Sequence, residues 1–112
     1  MQRFGSIIKV KFQESEKYKK LHTQVWPGVL EMLSQCNICN YSIYYKDGFL
    51  FSYFEYTGND FNADMDKMAA DPLTQQWWEV CKPCQEPLPS RKDGEWWPIW
   101  KKYSIMINLL LC

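Results

Sequence analysis

The apolar side chains in the first half of the chain change their spacing in a fixed order, and that order narrows the possible folds sharply. Phe4, Ser6, Ile8, Val10 and Phe12 alternate with Gly5, Ile7, Lys9 and Lys11, the two-residue repeat of a β-strand. From Glu14 to about Cys36 the repeat lengthens: Tyr18, Leu21, Val25, Val29, Met32 and Leu33 recur at three- and four-residue steps, which predicts an amphipathic helix. Pro27 lacks an amide donor and crowds the turn before it, so this helix is expected to kink or restart around Trp26 and Pro27. Ile38 to Tyr45 and Phe49 to Tyr56 are rich in β-branched and aromatic residues and flank Asp47-Gly48, a β-hairpin signal.

In the second half, Gly58-Asn59-Asp60 can open a helix with Phe61, Met65, Met68 and Ala69 on one face. Asp71 and Pro72 then supply an N-cap and a first-turn proline for a further helix, Leu73 to about Cys81, carrying Trp77 and Trp78. Cys84 to Glu95, with Pro87, Pro89 and Gly94, reads as a surface loop before a last extended segment near Trp96 to Ser104. Strand, helix, strand, strand, helical region, strand is the split βαβ order of a ferredoxin-like α+β fold, an antiparallel sheet with helices on one face. Residues 1–104 are expected to form this single domain, with 105–112 an apolar C-terminal tail. The uncovered sheet face then carries apolar and aromatic side chains, which predicts a homodimer packed sheet against sheet.

Charge sets the class of partner. Thirteen basic residues balance thirteen acidic ones without a like-charged run, so neither nucleic acid nor a membrane surface is expected, and a neutral small molecule is. The alternating amino terminus does not resemble a signal peptide, and Ile105 to Leu111 is far short of the roughly 20 residues that cross a bilayer. Five cysteines, an odd number, read as reduced thiols of a cytoplasmic protein. Cys36-Asn37-Ile38-Cys39 and Cys81-Lys82-Pro83-Cys84 have the spacing of zinc ligands, but both lie at helix ends without the glycine-rich turn of a zinc knuckle. Packed thiols are the preferred reading, and no metal is expected. A redox role for the second pair is weaker still, because no strand precedes it.

His22 is the lone histidine, and with an unperturbed pKa of about 6.5 it is the side chain best suited to exchanging protons near neutrality. A lone histidine is more often a packed or surface imidazole, but Tyr18 lies four residues earlier on the same helical face, so phenol and imidazole can share one ligand. Trp77 and Trp78 could cover the C–H face of a sugar, although neighbours on a helix point about 100° apart and at least one should belong to the core. Tyr41, in the strand after the first helix, is a candidate third wall.

Tyr18-x-x-x-His22, Val25-Trp26-Pro27, Asn40-Tyr41-Ser42-Ile43 and Gln76-Trp77-Trp78, in that order across residues 4 to about 97, resemble the L-rhamnose mutarotase family. The resemblance implies a dimeric α+β barrel, with His22 as proton donor and Tyr18, Tyr41, Trp77 and Trp78 as sugar-binding positions. It departs at the end, where Trp96 to Tyr103 carries Lys101 and Lys102 in place of the family's carboxylates and runs into an apolar tail.

The implied activity is interconversion of the α and β anomers of a free 6-deoxy sugar, L-rhamnose foremost, by acid–base ring opening and closure. Mutarotation moves protons and no electrons, so no cofactor is expected. His22 is the expected donor to the ring oxygen, with the paired base left open between a tyrosine, a carboxylate and water. Two rival readings use the same residues: a sugar-binding module without catalysis, and a haem-dependent or cofactor-free oxygenase on the same barrel with His22 as ligand or base.

Overall fold

The computed structural model describes residues 1–89 and 99–101. Strand β1 runs Gln2–Val10, and a 3-10 turn at Phe12–Glu14 leads into α1, Ser15–Thr23. The chain breaks at Trp26, whose ψ of 129° is extended, and restarts as α2, Pro27–Gln35, with Pro27 in its first turn. The long helical repeat of the sequence is therefore two nine-residue helices. Strands β2, Ile38–Lys46, and β3, Phe49–Tyr56, form the expected hairpin. Asp47 and Gly48 take φ of 54° and 81°, as the tight turn between right-handedly twisted strands requires.

Helices α3, Phe61–Ala69, and α4, Pro72–Cys81, start on aspartates. The Asp60 carboxylate accepts from the Ala63 amide at 3.1 Å, and Asp71 from the Thr74 amide at 2.9 Å. Beyond a second 3-10 turn, Lys82–Cys84, two short strands follow: β4, Gln85–Glu86, and β5, Ile99–Lys101.

The sheet is antiparallel with order β2-β3-β1-β4, and β5 also pairs with β1. β4 meets β1 at Lys9 and Val10, while β5 meets it at Phe4, Gly5 and Ser6. This is the ferredoxin-like α+β arrangement, with the last strand position filled by two separate pieces. The expected first strand ends two residues early, because the chain turns at Lys11 and leaves Phe12 89% exposed. The expected loop from Cys84 likewise contains a strand, since the amide of Lys11 bonds the Cys84 carbonyl at 2.9 Å and draws the chain alongside β1. Trp96 to Pro98, Lys102 to Ser104 and the tail 105–112 lie outside the described residues.

Even-numbered residues of β1 and β3 face the helices and form two cores. Ile8, Val10 and Leu50 pack with Tyr18, Val29, Trp77, Cys81 and Cys84 in the first. Phe4, Phe54 and Tyr56 pack with Cys36, Ile38 and Met68 in the second. In register between them lie two buried serines, Ser6 and Ser52, whose hydroxyls bond each other. They make a polar strip on an otherwise apolar sheet face.

Candidate active site

Helix α1 brings Tyr18 and His22 together through its own periodicity. Their rings stack with centroids 4.1 Å apart, and the imidazole meets the edge of Trp77 from α4 at 5.4 Å. Trp26, at the break before α2, packs edge-on against Trp77 at 5.1 Å. The imidazole is thus half-buried and walled by a phenol and an indole, with a second indole behind.

His22 Nδ1 lies 3.0 Å from the backbone carbonyl oxygen of Tyr18. A carbonyl can only accept, so Nδ1 carries the hydrogen and the neutral ring keeps its lone pair on Nε2. Burial lowers the His22 pKa from its ordinary 6.5, opposed by the bond to the Tyr18 carbonyl, which favours the charged form. At neutral pH the ring is a proton acceptor at Nε2.

Tyr41 reaches the same side of the sheet by an irregularity. The β2–β3 register shifts between Cys39 and Ser42, so that Asn40 and Tyr41 together oppose Phe54, and Asn40 adopts φ of 48°. Regular alternation from buried Ile38 would send Tyr41 to the outer face. The extra residue turns it inward, where its ring stacks on Phe54 at 5.5 Å. Asn40 is held by its amide donating to Glu55 at 2.5 Å. One edge of Tyr41 remains open, with 42% of the residue exposed, but its hydroxyl lies deep and bonds Ser52. Burial above all pushes that phenol up to about 12, partly offset by Ser52.

The Tyr18 hydroxyl is buried too. It accepts a hydrogen bond from the side-chain amide of Gln85 at 3.2 Å. Its pKa is raised, mainly by burial, against the Gln85 bond that favours the phenolate, and the nearby acidic groups Cys81, Tyr41 and Cys84, which ionise to anions, add to the rise. Both phenols therefore stay protonated as hydrogen-bond donors or acceptors. Cys81 is pushed up to about 12 by burial and by Cys84, so it is a packed thiol rather than a nucleophile.

The two tryptophans diverge as neighbours on a helix must. Trp77 belongs to the first core and touches His22, whereas Trp78 is partly buried where the two cores meet, with the Lys82 ammonium 5.9 Å from its ring centroid. Sequence reasoning did not single out Trp26 as a wall, nor Ser52 and Gln85 as partners of the phenols. Only Trp26 carried a local signal, standing before a helix-starting proline. Cys36, Cys39, Cys81 and Cys84 are free thiols, and among the described residues no group of three or more His, Cys, Asp or Glu side chains could hold a metal ion. No described helix is long and apolar enough to cross a membrane.

Residues 3–104 match the family model described as L-rhamnose mutarotase. The chain belongs to the L-rhamnose mutarotase family. A protein named L-rhamnose mutarotase from Listeria monocytogenes is 34% identical over 92 residues, covering 80% of this chain and 86% of its own. Another of that name from Bacillus subtilis is 33% identical over 85 residues, covering 74% and 79%. The crystal structure of an L-rhamnose mutarotase from Formosa agariphila superimposes with a TM-score of 0.68 at 18% identity, covering 94% of this chain and 96% of that one. Tetracenomycin F2 cyclase from Streptomyces glaucescens shares the fold with a TM-score of 0.66 at 12% identity, over 91% and 94% of the two chains. Membership of the mutarotase family makes the chain an isomerase.

Proposed function

We propose that this mutarotase interconverts the α and β anomers of a free 6-deoxy aldose, L-rhamnose foremost, with His22 as proton carrier. The names of the relatives support the sugar. The observation that carries the mechanism is the bond from His22 Nδ1 to the Tyr18 carbonyl, which leaves Nε2 as a lone pair inside an aromatic cluster.

The anomeric hydroxyl and the ring oxygen are both attached to C1, so one imidazole can serve both in turn. Nε2 takes the hydroxyl proton, the C1–O5 bond breaks as C1=O1 forms, and the imidazolium delivers the proton to O5. The aldehyde rotates, and closure on its other face reverses each transfer. No proton or electron is gained or lost over the cycle. His22 thus protonates the ring oxygen with the proton it has just collected. Tyr18 and Tyr41 hold sugar hydroxyls, while Trp77, with Trp78 further along α4, offers apolar surface to C–H groups and the 6-deoxy methyl.

The working unit we propose is the single domain of residues 1–104, assembled as a cytoplasmic homodimer. Support for the dimer comes from the sheet face away from the helices, where Tyr44 and Phe51 are exposed beside Phe49. The site is tested by His22→Ala. General acid–base catalysis contributes about 10²–10⁴-fold, and the variant should lose that much anomer exchange while melting like the parent. Saturation-transfer NMR on free L-rhamnose measures it, because magnetisation passes between α and β signals only if the protein catalyses their exchange. Undiminished transfer with the alanine variant would remove His22 from the mechanism, and none with the parent would leave a binding module.

A further inference from the structure

Gln85 is 6% exposed, and its amide ends on the Tyr18 hydroxyl. Its backbone is clamped: it stands opposite Val10 in β4, and the preceding Cys84 carbonyl is bonded by Lys11. Since Val10 faces the helices, its β4 neighbour places the amide on the side where α1 lays Tyr18. Burying an amide costs free energy that an apolar side chain of similar size would avoid, and the hydrogen bond to Tyr18 works against that cost.

We infer that Gln85 is a positioning residue that fixes the Tyr18 hydroxyl as a hydrogen-bond donor toward the bound sugar. The argument is one of direction. An amide N–H can only donate, so the Tyr18 oxygen accepts in this bond, and its own hydrogen is left for an acceptor elsewhere. Two hydrogen bonds therefore give the site a fixed polarity: the Tyr18 carbonyl within α1 makes Nε2 of His22 an acceptor, and Gln85 makes the Tyr18 phenol a donor. A sugar presents both complements, a hydroxyl hydrogen and an oxygen lone pair, on neighbouring atoms. The inference rests on the proposed mutarotase reading.

Two substitutions separate orientation from packing. Gln85→Met removes the donor at nearly constant volume, and Gln85→Glu replaces it above the carboxylate range with a pure acceptor that captures the phenol hydrogen. One hydrogen bond is worth about 0.5–1.5 kcal/mol, so kcat/KM should fall roughly 2- to 10-fold in Gln85→Met. Gln85→Glu should fall further at pH 8 and recover toward Gln85→Met, relative to the parent at each pH, as the carboxylate protonates. In a Tyr18→Phe background both substitutions should have no further effect. Equal losses in the two variants at every pH, or losses that persist without the Tyr18 hydroxyl, would overturn the inference. Should Gln85→Glu fail to fold, the Gln85→Met and Tyr18→Phe cycle decides alone, through the presence or absence of coupling. Failure of the parent to exchange anomers would instead remove the mutarotase reading itself.

Discussion

His22 gains its reactivity from two neighbours with opposing effects on its charge. Burial disfavours the imidazolium, the Tyr18 carbonyl favours it, and burial wins, so the folded-state pKa lies below 6.5. The unfolded chain then binds a proton more readily than the folded one in the interval between those two values. The His22 contribution to stability is fully present above pH 6.5 and is lost as the pH drops through that interval. Activity follows the same titration, because Nε2 must be unprotonated to begin the cycle: the acid limb of kcat/KM should fall below pH 6.5. A pH–rate profile of the parent checks this, and an acid limb above that value would contradict the neutral resting state. The pairing of Tyr18 with His22 was legible in the sequence, because four residues on a helix is a local distance. The hydrogen bonds of Gln85 and Ser52 were not, because the partner of a buried polar side chain is decided by which strands come to lie beside which helix.

Elements with a sustained repeat or a strong cap follow the sequence closely: the hairpin turns at Asp47-Gly48, α4 starts on Asp71, and Pro27 restarts the helical layer. The irregular ones escape it. A two-residue strand such as β4 has no period to detect, and the bulge at Asn40 leaves the composition of β2 unchanged while reversing the direction of Tyr41. The bulge has a testable requirement. Asn40 holds a left-handed φ that glycine accepts readily and a β-branched residue resists. Asn40→Gly and Asn40→Val both lose the bond to Glu55 and differ chiefly in this backbone preference. The valine variant should be less stable than the glycine variant by about 1–3 kcal/mol in urea denaturation, with the larger loss of activity. Equal midpoints and equal activities would show that β2 can dispense with the bulge.

For the whole molecule, the two sheet faces differ in what they bury and what they expose. The inner face packs both cores and carries the Ser6–Ser52 strip under Tyr41, while the outer face offers Tyr44, 65% exposed, and Phe51, 40% exposed. Sheet-to-sheet association of two copies buries those rings. Sedimentation velocity at micromolar concentration should therefore give twice the chain mass, and Phe51→Glu should return the species to a monomer. A parent that sediments as a monomer would end the proposal.

The flanks of the sheet limit how such contacts can multiply. On one flank β4 and β5 occupy opposite ends of β1 and leave Ile7 and Ile8 between them without a ladder partner from either; on the other, β2 is bent by its extra residue. Among the described residues, neither border presents a long, straight row of amides and carbonyls onto which a foreign strand could zip. Growth by sideways addition, the route to fibres, is thereby discouraged at the described strands, and the proposed pairing would use a broad surface that a single twin can saturate.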